Sequence, residues 1–238
     1  KIASIESGYV LNTPKVKARL SGYLTKFNDL TKTMTFYHDE YRNNVNYTLT
    51  DIDKIHFGGE LGVEAKVYKG LTATLAAALG RYFYTSRQKA TVTVDNSSDV
   101  LSSNEVIFSK NFQLGGTPQT AATIGLNYRS PKYWFLSVNV NYFDDMYLDF
   151  NPIRRTWSAV ETVTNTDTYN EIIQQERLYR QFTVDLFVGY SFKINSIVKS
   201  LKKSQYIYLN VGINNITNNK NLITGGYEQL RFDFENSD

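Results

Sequence analysis

The chain contains no cysteine, so it holds neither a disulfide framework nor a thiolate metal site. Histidine is almost as scarce. His38 and His56 are the only two, and neither has a neighbour at the spacing that a metal centre or an activated nucleophile needs. No run of about 18 apolar residues occurs, which excludes a transmembrane helix but leaves barrel strands open. Charge of one sign is also lacking. The 26 basic and 23 acidic residues leave a formal net charge of +3 and are scattered along the chain. No basic stripe of the kind that grips a phosphate backbone results, so nucleic acid is not an expected partner. The pairs Gly115-Gly116 and Gly225-Gly226 lie in or beside long connections with no strand-to-helix turn after them, and read as turn glycines rather than a phosphate cradle. These absences point away from an enzyme, and no cofactor is expected.

Aromatic residues are plentiful instead: 18 Tyr and 14 Phe in 238 residues. Tyrosine suits sites that are apolar at one end and wet at the other, such as interfaces and membrane girdles. With 42% hydrophobic residues the chain can bury a core and is not disordered by composition.

Period two dominates the pattern. From Ile55 to Tyr68, Ile55, Phe57, Gly59, Leu61, Val63, Ala65 and Val67 alternate with His56, Gly58, Glu60, Gly62, Glu64, Lys66 and Tyr68, giving one apolar and one polar face. After Lys69-Gly70 the alternation resumes through Leu71, Ala73, Leu75, Ala77 and Leu79, which predicts a long hairpin. The same two-faced pattern runs through 16–25, 122–128, 134–143, 182–192 and 207–214. With a partial strand ending near Leu11, about eight strands are expected. Several keep the alternation for roughly 10 residues, the length a tilted strand needs to cross a bilayer.

Connection lengths alternate as well. Short turns fall at Asn12-Thr13-Pro14, Lys69-Gly70 and Ser130-Pro131-Lys132, and long connections at 29–52, 86–118 and 151–177. A moderate, basic connection at 195–204 follows, and a further long loop is expected after Thr217. Outer-membrane barrels have this parity, with short periplasmic turns and long external loops. Tyr9, Tyr68, Tyr128, Tyr133, Trp134, Phe135, Tyr190, Phe192 and Tyr206 lie near the short turns, as a periplasmic girdle would.

Chemistry-bearing clusters are few. Asp144, Asp145 and Asp149 offer oxygen ligands to a hard cation but lack the spacing and turn glycine of a calcium loop, and read first as a solvated loop base. Arg154 and Arg155 with Tyr147, Phe150 and Trp157 fall at the expected outer end. There guanidinium and aromatic groups can grip sugars, carboxylates or chelates, so Tyr147, Arg154, Arg155 and Trp157 are the candidate ligand contacts.

The segment from His56 to Arg87, H-F-G-G-E-L-G-V-E-A-K-V-Y-K-G-L-T-A-T-L-A-A-A-L-G-R-Y-F-Y-T-S-R, resembles the C-terminal barrel of TonB-dependent receptors of the Bacteroidetes type. So do G-G-T-P-Q-T from Gly115, N-Y-R-S-P-K-Y-W-F from Asn127, N-Y-F-D-D from Asn141, S-G-Y-L-T-K-F-N-D-L-T-K from Ser21 and N-V-G-I-N-N-I-T from Asn210. The resemblance implies an all-β fold, an antiparallel transmembrane β-barrel represented in part: about eight long strands of a barrel of roughly 22 strands with a plugged lumen. It implies uptake of an iron chelate, vitamin or glycan, energised through TonB. Residues 1–238 would be one part of that barrel domain, with the plug domain and the closing C-terminal strand outside it. Expected partners are outer-membrane lipid, the remaining barrel and plug, the TonB complex through an N-terminal part, and a surface lipoprotein.

In that arrangement the apolar faces meet lipid, and the faces bearing Lys17, Arg19, His56, Glu60, Glu64, Lys66 and Asp185 meet the lumen. The reverse would place Lys or Arg in hydrocarbon at roughly 2 to 4 kcal/mol each near the midplane. Two other architectures fit the pattern: a complete eight-stranded outer-membrane barrel serving as adhesin or structural protein, and a secreted glycan-binding β-sandwich.

Overall fold

A computed structural model describes residues 1–38, 42–161, 163–197, 200, 203–221, 223 and 226. Alternating side chains and the turn residues between them produce ten strands: β1 (Ile2–Asn12), β2 (Val16–His38), β3 (Asn43–Tyr68), β4 (Leu71–Tyr84), β5 (Gln88–Val94), β6 (Val100–Ile107), β7 (Thr120–Arg129), β8 (Trp134–Asp144), β9 (Gln181–Lys193) and β10 (Tyr206–Ile213). One short helix, α1 (Thr166–Ile173), lies between β8 and β9, capped by the Asn165 side chain, which accepts from the Asp167 N–H at 2.9 Å. All strands join a single antiparallel sheet. Its main path runs β1-β2-β3-β4-β7-β8-β9-β10, eight strands in chain order, while β5 pairs with β3 and β6 with β5.

The short turns close one end of this sheet. The hairpin turn between β3 and β4 has Gly70 at φ +76, a conformation that costs glycine nothing and strains other residues. A Cβ there would also run into the Arg129 carbonyl of the neighbouring turn. β1–β2 and β7–β8 turn at the same end, through 13–15 and 130–133, and β9–β10 returns there through 194–205.

Register settles which residues share a face, because side chains alternate strictly along a strand. Leu20 lies opposite Leu61, Leu61 opposite Ala77 and Ala77 opposite Ala122. On the same face Ile124 lies opposite Val140, Val140 opposite Val184, and Leu186 opposite Ile213. This face is apolar from edge to edge and open, with Ile124 59% and Leu209 63% exposed. A continuous exposed apolar face of this kind belongs against lipid, since soluble monomers rarely show one. β7 spans ten residues and β8 eleven, enough for a tilted crossing.

Beyond the apolar band, at the end away from the short turns, the protein builds a second body. Here Met34, Val45, Tyr47, Leu49, Ile52, Ala90, Val92, Ile107 and Phe150 form the one buried hydrophobic cluster of the described residues. The expected long connections at 29–52 and 86–118 are therefore not loops. The first is the outer half of the β2–β3 hairpin, and the second carries the β5–β6 hairpin, with Val45–Thr50 paired to Lys89–Val94. The physical reason lies at Asp29 and Asp51, whose φ values of 57 and 55 mark left-handed residues near the register shifts between Phe27 and Lys32. Such bulges interrupt the period-two pattern while the strand goes on. The 151–177 connection contains a 3-10 turn at Ile153–Arg155 and α1. The loop expected after Thr217 and Gly225 of the Gly225-Gly226 pair lie largely outside the described residues.

Candidate functional site: the polar face and its outer rim

The second face of the sheet is polar and lined with small residues. Lys17 lies opposite Glu64, Arg19 opposite Gly62, Ser21 opposite Glu60 and Thr25 opposite His56. Next along the sheet, Glu64 faces Thr74 and Lys66 faces Thr72. Two strands further, Asn139 faces Asp185. Thus Lys17, Arg19, His56, Glu60, Glu64, Lys66 and Asp185 share one face. Their charges are loosely paired, Lys17 with Glu64 at 3.9 Å and Arg19 with Glu6 at 3.6 Å, and well exposed, so these ion pairs add little stability.

Across β7, β8 and β9 the same face is a ladder of amides and hydroxyls that ends on the Asp185 carboxylate. Ser137 donates to Asn127 at 2.6 Å and Thr123 to Asn141 at 2.8 Å. The Asn141 amide in turn donates to Thr183 at 3.0 Å and Asp185 at 2.8 Å. The other Asp185 oxygen accepts from the Asn215 backbone N–H at 2.8 Å. Cross-strand polar pairs of this type stiffen a sheet and leave a surface that water can wet.

Small side chains open shallow recesses on this face. One of about 380 Å³ lies among Arg19, Ser21, Glu60, Ala76, Ala78 and Thr123. Another of about 540 Å³ lies among Glu6, Tyr23, His56, Glu60, Tyr82 and Thr117. Here the Tyr23 and Tyr82 hydroxyls hydrogen-bond to each other, and the His56 ring sits between Phe27 and Tyr82 at 4.8 and 4.9 Å. Gly58 makes room for this cluster, since a Cβ on it would stand 2.8 Å from the Tyr23 hydroxyl and 2.5 Å from the Leu79 carbonyl. The 114–119 segment folds over the same spot, because the Gln119 amide grips both the N–H and the carbonyl of Tyr82.

At the outer rim the three aspartates meet cationic side chains rather than an open ligand position. Arg177 donates to Asp144 at 3.1 Å and to Asp145 at 2.7 Å, Arg81 donates to Asp145 at 3.0 Å, and Lys32 pairs with Asp149 at 3.7 Å. Asp144 also accepts from the Asp145 N–H at 2.7 Å and from the Tyr142 hydroxyl at 2.8 Å. Arg81 and Arg177 escape a reading by sequence because they lie 64 and 32 residues from Asp145. Among the described residues no group of three His, Asp or Glu side chains converges to hold a metal ion.

The four candidate ligand contacts do not share one environment. Tyr147 is half-buried at the rim, where its carbonyl accepts from the Gly116 N–H at 3.1 Å. Arg154 is half-buried and reaches the Glu171 carbonyl at 3.4 Å. Arg155 is 0% exposed. Its guanidinium donates to the carbonyls of Asn151 at 3.3 Å and Gln174 at 2.5 Å and lies over the Phe112 ring, so it ties the loop to α1. Trp157 alone of the four is fully on the surface, 66% exposed.

Fold and register define the class: an all-β, antiparallel section of a transmembrane β-barrel wall, with one apolar and one polar face. No protein-family model matches the chain, and no curated protein matches it by sequence. Among solved structures it is similar to one described as "Copper transporter OprC", at 14% identity and a TM-score of 0.55. The similarity covers 91% of this chain and 25% of that one, so the chain spans a quarter of that protein's length. The likeness is one of fold.

Proposed function

We propose that this chain is part of the barrel wall of a TonB-dependent receptor of the Bacteroidetes type in a bacterial outer membrane. Its work is energised uptake of a scarce ligand, an iron chelate, vitamin or glycan. The observation that carries this reading is the registered split between an open apolar face and a polar face rich in small residues, kept across all eight strands of the main path. An antiparallel wall with one lipid-facing side needs a lumen on the other. The recesses beside Arg19, His56, Glu60 and Tyr82 then face a plug or passing ligand. Likeness over a quarter of a longer transporter fits a section rather than a whole.

In this reading the short turns face the periplasm and the buried body around Leu49 and Phe150 stands outside the cell. The remaining barrel strands pair with the open edges of β1 and β10, and the plug, the TonB complex and a surface lipoprotein act through the rest of the receptor. Ligand contact at the outer end falls to Tyr147, Arg154 and Trp157, with Arg155 holding the loop that carries them. A complete eight-stranded barrel would need β1 bonded to β10, whereas among the described strands β1 pairs with β2 and β10 with β9.

The test is membrane fractionation of the native organism with an antibody raised against residues 86–118. The expected result is a heat-modifiable outer-membrane band far larger than this 27.3 kDa chain, labelled on intact cells. A soluble band would sink the receptor reading, and a small membrane band would replace it with the complete barrel.

A further inference from the structure

Every connection at the short-turn end carries lysine and no carboxylate: Lys15 in 13–15, Lys69 in 69–70, Lys132 in 130–133, and Lys199, Lys202 and Lys203 in 194–205. Lys15, Lys69, Lys132 and Lys203 are all exposed, and among the described residues no ion pair engages them. The opposite end mixes both signs and pairs them, as Arg177 and Arg81 do with Asp144 and Asp145. One-sided charge at a single end of a chain with a net charge of only +3 makes that end a surface complementary to an anionic partner.

Tyrosine stands beside these lysines. Tyr68 directly precedes Lys69 and is 75% exposed, and Tyr133 directly follows Lys132 and is 59% exposed. On the apolar face, Tyr128 lies 5.1 Å from Trp134, which stands opposite Tyr190, and Tyr190 lies 6.4 Å from Phe192. Such rings settle at the boundary between hydrocarbon and headgroups. An ammonium on a flexible stem, one residue away, then stands at the depth of the lipid phosphates.

We propose that the short-turn rim is a binding surface for anionic phospholipid headgroups of the leaflet it faces, with Lys15, Lys69, Lys132 and Lys203 as the phosphate contacts and the tyrosine collar setting their depth. An acidic soluble protein would satisfy the charge equally, but it gives no role to exposed aromatic rings arranged at the edge of the apolar band. The inference rests on the membrane-spanning reading of the sheet.

The test uses the intact native polypeptide purified in detergent and transferred to nanodiscs, either of phosphatidylethanolamine alone or with phosphatidylglycerol added. Lipids retained on release are counted by native mass spectrometry. The expected result is preference for phosphatidylglycerol by roughly tenfold, weakened by salt and lost stepwise as Lys15, Lys69, Lys132 and Lys203 are changed to Gln. The single K69Q and K132Q variants give the first steps where the fourfold variant does not fold. A paired K89Q and K110Q variant leaves the preference intact. Equal retention of the two lipids, or an undiminished preference in the single and fourfold variants, overturns the proposal. Tighter binding of soluble polyglutamate than of phosphatidylglycerol also overturns it, in favour of an acidic protein. Failure to enter nanodiscs at all would instead count against the membrane reading.

Discussion

Arg155 and Trp157 stand two positions apart and have opposite surroundings. Both fit the pattern of a ligand-gripping outer loop, since sequence composition does not separate an exposed guanidinium from a buried one. The difference arises in three dimensions: the Arg155 carbonyl accepts from the Phe108 N–H at 2.7 Å, while its guanidinium spans Asn151 and Gln174. Removing the guanidinium takes a hydrogen bond from the buried Asn151 and unties the loop from the end of α1. Arg155→Met is expected to cost about 2 to 3 kcal/mol, read as faster proteolysis within residues 86–177 while the barrel stays heat-modifiable on gels. Trp157→Ala is expected to change stability by less than about 0.5 kcal/mol and, on the receptor reading proposed above, to lower ligand retention by the full-length protein. Equal proteolysis of the two variants would remove the distinction between support and contact.

The strands divide into halves that differ in how plainly the sequence announces them. Near the short turns each strand has lipid on one side and a polar surface on the other, so apolar and polar residues must alternate, and Ile55–Tyr68 does so without a break. Further out, β2 and β3 leave the apolar band. There Val45, Tyr47 and Leu49 are covered by the body built on β5, β6 and Phe150, while Asp29 and Asp51 reset the phase. Val45–Thr50 itself alternates strictly, but the bulge at Asp51 cuts it off from the Ile55–Tyr68 pattern and threonine-rich stretches flank it, so 29–52 as a whole reads as a connection. The candidate ligand residues suffered the same loss, because contacts such as Arg177 to Asp145 and Gln119 to Tyr82 join segments that no local pattern connects. The outer halves of β2 and β3 therefore depend on their own core. Leu49→Ala, at a position 2% exposed, is expected to cost about 2 to 5 kcal/mol. Hydrogen exchange should quicken in 30–52 and 88–107 and leave 120–143 unchanged. A uniform change along the whole chain would mean that the outer body and the wall unfold as one unit.

At the scale of the whole molecule, the wall has two unlike sides and two unlike ends. The ends differ in charge and chain length, with lysine-bearing turns at one and a folded body at the other. The sides differ in what they meet, and that difference can be measured by moving a single charge across the sheet. Ile124 lies midway along β7 on the apolar face, and Ala76 on β4 lies on the polar face, where it lines the recess shared with Arg19 and Glu60. Arginine at 124 must enter hydrocarbon near the midplane, at about 2 to 4 kcal/mol. At 76 it meets water and a nearby carboxylate, and its cost is expected to stay below about 1 kcal/mol. The two variants of the intact protein, refolded into bilayers and compared by urea titration, should therefore separate by at least about 1 kcal/mol. A larger penalty at 76 than at 124 would exchange the lipid and lumen sides, and with them the placing of Lys17, Arg19, Glu60, Glu64 and Asp185.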